Sequence, residues 1–106
     1  MKGFGDMRQL MQQAQRLQQE MADRQRQLQE ARVEATAGGG MVRAVVSGQG
    51  RLLELTVSPE VIDPSDVDML QDLTVAAVQE AQDKAQQMAK EMMSDLGGGL
   101  PPGMMP

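Results

Sequence analysis

The sequence predicts an α+β protomer of order α-β-β-β-α, with a long N-terminal helix, a three-stranded antiparallel meander and a long C-terminal helix. Three observations carry this. Residues 6–31 lack Gly and Pro and repeat apolar residues with a heptad period. Residues 32–57 alternate apolar and polar residues between two Gly-rich turns. From residue 67 onward the apolar spacing returns to three and four.

The first helix is predicted over residues 6–31, with Asp6 as its N-cap or first-turn acid. Gln, Arg, Met, Leu and Ala dominate it, and all are strong helix formers. One apolar series is Met7, Ala14, Met21 and Leu28; the other is Leu10, Leu17, Arg24 and Ala31. Only Arg24 breaks the pattern, which is that of a coiled-coil seam. Such a helix is about 39 Å long, more than a small sheet covers. The stripe therefore predicts a homodimer, although the last helix of the same chain could supply part of the covering surface.

Strands are predicted at Arg32–Ala37, Met41–Ser47 and Arg51–Val57, joined by Gly38-Gly39-Gly40 and Gly48-Gln49-Gly50. In the third strand, Leu53, Leu55 and Val57 are expected on one face, and Leu52, Glu54 and Thr56 on the other. An edge of this sheet could pair with a second copy. Asp63 and Pro64 predict the next helix start, as N-cap and first helical residue. That helix is expected to reach about Asp95, with Val67, Leu70, Leu73, Ala77, Ala81, Ala85, Met88 and Met92 as its apolar stripe. Residues 1–96 are expected to form one domain, and the Gly/Pro/Met-rich residues 97–106 a flexible tail.

Composition narrows the function classes. The 106 residues include no Cys and no His, which removes thiolate chemistry, the commonest general base and the usual transition-metal ligands. The serines have no base in an evident relation to them. Asp63, Asp66, Asp68 and Asp72 cluster at one helix start, where acids complement the helix dipole; an oxygen-ligand metal site is the other reading. Gly38-Gly39-Gly40 leads into a strand without a following Lys-Ser/Thr, so it reads as a hairpin turn and not a phosphate loop. The expectation is a non-enzyme with no metal, cofactor or small-molecule substrate. Residues 1–6 lack the apolar region of a signal peptide, and no stretch is long enough to span a membrane, so a cytoplasmic protein without membrane contact is expected.

Charge is unevenly spread. The net charge is −5, yet residues 1–57 hold eight basic residues against six acidic ones, and residues 58–106 hold two against nine. Any basic surface must come mainly from the first half. On a helical projection Arg8 and Arg26 point nearly opposite the apolar stripe and Arg16 lies on its flank, interleaved with glutamines. Arg and Gln both contact phosphates. A solvated helix face with intrahelical pairs such as Glu20–Arg24 is the simpler reading of the same residues.

The run Met11-Gln12-Gln13-Ala14-Gln15-Arg16-Leu17-Gln18-Gln19-Glu20-Met21, the turn Gly38-Gly39-Gly40-Met41-Val42, and the segments Val61-Ile62-Asp63-Pro64, Met69-Leu70-Gln71-Asp72-Leu73 and Ala76-Ala77-Val78 occur in one order. With the tail Leu100-Pro101-Pro102-Gly103, they resemble the YbaB/EbfC family of bacterial nucleoid-associated proteins over nearly the whole chain. The family usually has Glu at the place of Gln71 and often Asn at the place of Gln79.

The resemblance implies a homodimer of α-β-β-β-α protomers that binds double-stranded DNA with little sequence preference. It further implies that the dimer alters DNA conformation and influences nucleoid organisation and gene expression. Protruding helices would hold the duplex. Carried onto this chain, the basic positions are Lys2, Arg8, Arg16, Arg26, Lys84 and Lys90. The packing and dimer positions are Leu10, Ala14, Leu17, Met21, Leu28, Leu53, Leu55, Leu70 and Leu73. The alternative is a protein-interaction scaffold using the Met-rich helical surface and tail, which the 11 methionines and the acidic net charge favour.

Overall fold

A computed structural model describes residues 2–96, with side chains for residues 5–95. The order is α1 (Lys2–Glu30), β1 (Arg32–Ala37), β2 (Val42–Ser47), β3 (Leu52–Val57), a 3-10 turn at Pro59–Val61, and α2 (Val67–Leu96). This is the α+β order predicted. The strands form one antiparallel sheet in the order β1-β2-β3. The tail predicted for residues 97–106 lies outside the described residues.

Two helix starts differ from the prediction. Helix α1 begins at Lys2, so Asp6 is an interior residue and not its N-cap. Gly3 and Gly5 are tolerated because a Gly costs only about 1 kcal/mol in a helix. Helix α2 begins three residues after the predicted start. The Asp63 carboxylate accepts from the Ser65 backbone N–H at 2.9 Å and from the Ser65 hydroxyl at 2.7 Å, closing a turn that contains Pro64. These two bonds hold the Asp63 carboxyl below its usual range. Asp66 caps the helix instead, accepting from the Met69 backbone N–H at 3.3 Å. The competing Asx turn had the same local signature as a cap.

The core lies between α2 and two of the three strands. Ala77, Ala81 and Ala85 are fully buried against Ala35, Val42, Ala44 and Val46. Alanines bring the helix close to the sheet, which is how a chain with one aromatic residue makes a tight interior. Leu70, Leu73, Met88 and Met92 extend the stripe as half-buried residues, while Val67 is exposed. The Cβ of any residue at position 38 would sit 3.0 Å from the Leu73 side chain, and φ there is +65°.

Strand β3 departs from simple alternation. Val42 pairs with Val57 and Ala44 with Leu55, but Val46 pairs with Leu52, so a bulge leaves Leu53 unpaired. Leu52 thereby joins the face that carries Leu55, correcting the assignment of Leu52 and Leu53 to opposite faces. Leu52, Leu53 and Leu55 remain 44, 42 and 42% exposed, because α2 covers β1 and β2 and stops short of β3.

The other face is a charge lattice. Arg43 donates to both oxygens of Glu34, the Nη2–Oε2 bond being 3.0 Å, and Arg32 donates to Glu54 at 2.6 Å. Arg43 holds the Glu34 carboxyl below its usual range. Beneath these side chains Val45 is buried although it points away from the core.

The second Gly turn has a role beyond its bend. A Cβ at position 48 would lie 2.5 Å from the Leu28 carbonyl oxygen, so the β2–β3 turn touches the backbone of α1. The buried Ser47 hydroxyl accepts from the backbone N–H groups of Gln49 and Arg51, both at 3.2 Å, and fixes the turn in that place. Gly48→Ala should therefore destabilise the fold by about 1–3 kcal/mol. Gly5→Ala meets open space in a helix and should stabilise it slightly. Thermal unfolding followed by circular dichroism checks both; equal melting temperatures for the two variants would contradict the contact.

Candidate nucleic-acid interface

Helix α1 is a rod that leaves the sheet. About 43 Å long as a 29-residue helix, it dominates a molecule measuring 79 × 26 × 16 Å. Its C-terminal end is anchored: Leu28 is buried, and with Gln25 it lines an open groove opposite Gln82, Ala89 and Met93 of α2. Further out, Glu20, Asp23 and Arg24 lie by Asp95. The helices thus run antiparallel, and α2 accompanies α1 only to about that level.

Every residue from Gly5 to Asp23 is exposed. The stripe is included: Met7, Leu10 and Met11 are 63, 64 and 62% exposed, Leu17 and Met21 less so, and Ala14 is exposed as well. Of the predicted heptad series only Leu28 is buried within the protomer.

The predicted cationic residues fall into two groups. Arg8 and Arg16 stand on the free part of α1 with no ion pair among the described residues. Residues 7–19 contain these two arginines and six glutamines and no acidic residue. Their Cα atoms lie about 12 Å apart along the axis. Arg26, Lys84 and Lys90 form the second group, each beside an acid. Arg26 donates to Asp23 at 2.7 Å. Lys84 Nζ lies 4.0 Å from Glu80 and donates to the Glu34 carbonyl of β1 at 3.4 Å. Lys90 lines a shallow surface with Glu91 and Asp95. The predicted Glu20–Arg24 pair does not form; Asp23 takes Arg26 three residues away instead. The side chain of Lys2 lies outside the described residues.

The site is therefore one-sided. The free half of α1 presents its arginines and glutamines with Met7 and Met11 beside Arg8, while the exposed flank of α2 is acidic. The sequence projection grouped Arg8 with Arg26 and set Arg16 on the flank; the missed distinction is the acid-free run, which groups Arg8 with Arg16 and was legible in the residue order. Among the described residues no group of acids is arranged to hold a metal ion, and no helix is long and apolar enough to cross a membrane.

A sequence model described as the YbaB/EbfC DNA-binding family matches residues 2–100. A relative from Chloroflexus aggregans called a nucleoid-associated protein is 50% identical over 93 residues, covering 88% of this chain and 93% of its own. One of the same name from Rhodococcus opacus is 43% identical over 104 residues, covering 98 and 92%. The crystal structure of an uncharacterized protein from Helicobacter pylori superposes with a TM-score of 0.74 at 18% identity, covering 83% of this chain and 92% of that one. That likeness concerns the fold.

Proposed function

This chain belongs to the YbaB/EbfC DNA-binding family, not to a family of enzymes, and from that premise we propose that it is a nucleoid-associated protein of the bacterial cytoplasm. It binds double-stranded DNA as a homodimer with little sequence preference, alters the conformation of the duplex, and influences nucleoid organisation and gene expression. Residues 1–96 act as one domain and residues 97–106 as an appended tail.

The observation that carries this reading is the acid-free run 7–19 of α1, exposed throughout, with Arg8 and Arg16 unpaired among the described residues. Guanidinium groups on a rigid rod neutralise phosphates without reading bases. Their spacing of about 12 Å matches the width of the major groove, so both can reach phosphates at once. Arg26 and Lys84 contribute less because each already faces a carboxylate. Two-fold symmetry doubles the cationic patch, which stays local although each chain carries a net charge of −5.

Fluorescence anisotropy on an arbitrary duplex over a salt series tests this. Four arginines per dimer predict a slope of log K against log salt of about −3.6. A flat response, or no binding at low salt, would overturn the reading. The scaffold alternative rests on the exposed Met7, Leu10 and Met11; a partner retained from nuclease-treated lysate would favour it over DNA.

A further inference from the structure

Within the acid-free run 7–19, one large apolar residue stands outside the stripe. Met11 belongs to neither heptad series. It lies about 60° round the axis from Arg8, on the cationic side of the rod. Met7, Arg8, Met11, Gln12 and Gln15 line one surface hollow, and Met11 is 62% exposed there. Helix propensity does not account for it, because glutamine is as good a helix former and fills positions 9, 12, 13 and 15 around it. We propose that Met11 is a base-contacting residue: its side chain packs on the C5-methyl group of thymine in the major groove, so that the rod favours thymine-containing DNA. The proposal rests on the DNA-binding reading and deepens it.

Shape and position favour this contact. The major groove is about 12 Å wide and admits an α-helix. The outer half of α1 is exposed on every side, and α2 accompanies it only to the level of Glu20, so nothing described blocks its entry. Met11 sits about 4.5 Å along the axis from Arg8 and about 7.5 Å from Arg16, between the two proposed phosphate anchors. Met11, Gln15, Arg8 and Gln12 fall within about 100° of arc, one face of the helix. On that face the long Arg8 side chain reaches a phosphate at the groove wall while its shorter neighbours meet base edges.

Chemistry agrees with geometry. A thioether has nothing to offer a phosphate, whereas the thymine methyl is the apolar group that base edges display in the major groove. Methionine is flexible and adapts to a methyl presented at varying heights. Gln12 and Gln15 beside it have the donor and acceptor that adenine, the partner of thymine, requires. Every A·T pair carries a methyl on one strand or the other. The contact therefore favours thymine content without spelling a sequence, which agrees with binding of little sequence preference.

Two duplexes of the same mixed dA and dT sequence, one with every dT replaced by dU, isolate the methyl group. In anisotropy titrations the full chain should bind the dT duplex about tenfold more tightly, since burying one methyl is worth about threefold to fourfold and a dimer buries two. Met11→Ala should bring the ratio below about twofold, and Met11→Leu, which keeps the apolar reach, should retain most of it. Neither variant changes a charge, so the salt slope should stay that of the parent. Equal binding of the two duplexes by the parent overturns the proposal. So does a ratio that survives Met11→Ala, because the preference then comes from the shape of the duplex. Both results leave phosphate binding in place, whereas no binding to either duplex at low salt would overturn the DNA-binding reading and this proposal with it.

Discussion

Replacing Arg8 and Arg16 together by alanine should remove most of the salt-dependent DNA affinity and leave helicity unchanged. A dimer with four phosphate contacts loses roughly a hundredfold in affinity between 50 and 200 mM salt, and a variant without them should give a nearly flat line. Helicity is preserved because alanine is the best helix former and arginine stands close behind it, and because both side chains are exposed and unpaired. Arg26→Ala is the informative control. It removes one positive charge per protomer, half of what the double variant removes, and it frees Asp23, so the phosphates lose an already half-neutralised cation and the slope should change by less than one unit. Anisotropy titrations at four or five salt concentrations separate the variants. A double variant that keeps the parent's slope would show that the contacts lie elsewhere, with Lys84 and Lys90 the next positions to replace.

The difference between Arg8 and Arg26 shows how far the residues alone could be read. Periodicity located both helices and all three strands, since a change from period 3.5 to period 2 is a property of the chain itself. The Ala77, Ala81 and Ala85 stripe was equally plain. The starts of the helices were not, because Asp63 has two ways to satisfy nearby N–H groups and the sequence does not rank them. The bulge at Leu53 was also invisible: alternation assigned it a face, and one unpaired residue shifted Leu52 to the other. At the candidate interface the residue types were legible and their partners were not. Asp23 could pair with neighbours on several sides of α1, and only the folded helix shows it taking Arg26. Lys84 is the more distant case, because its contact with the Glu34 carbonyl depends on how α2 lies along β1.

Leu55→Asp should convert the proposed dimer to monomers under conditions where the parent remains associated. The reasoning begins with an incomplete layer. Helix α2 covers β1 and β2, and the bulge turns Leu52 onto the same face as Leu55, so the edge strand carries an apolar patch with free backbone groups beside it. A second copy laid on that patch completes the layer, and Met21 at the base of the rod can join it. A carboxylate at position 55 would then be buried without a partner, at about 3 kcal/mol or more. That is more than a hundredfold in the dissociation constant. Leu17→Asp places the same charge out on the rod, beyond the sheet, and should leave the dimer intact. Sedimentation velocity at a few concentrations distinguishes the two. The DNA titration supplies a second reading, since a monomer offers two arginines and its salt slope should fall to about −1.8. Should Leu17→Asp dissociate the dimer and Leu55→Asp spare it, the protomers close through their rods. The arginines of the two copies would then face outward from a single stem, and a duplex could no longer be held between separate arms.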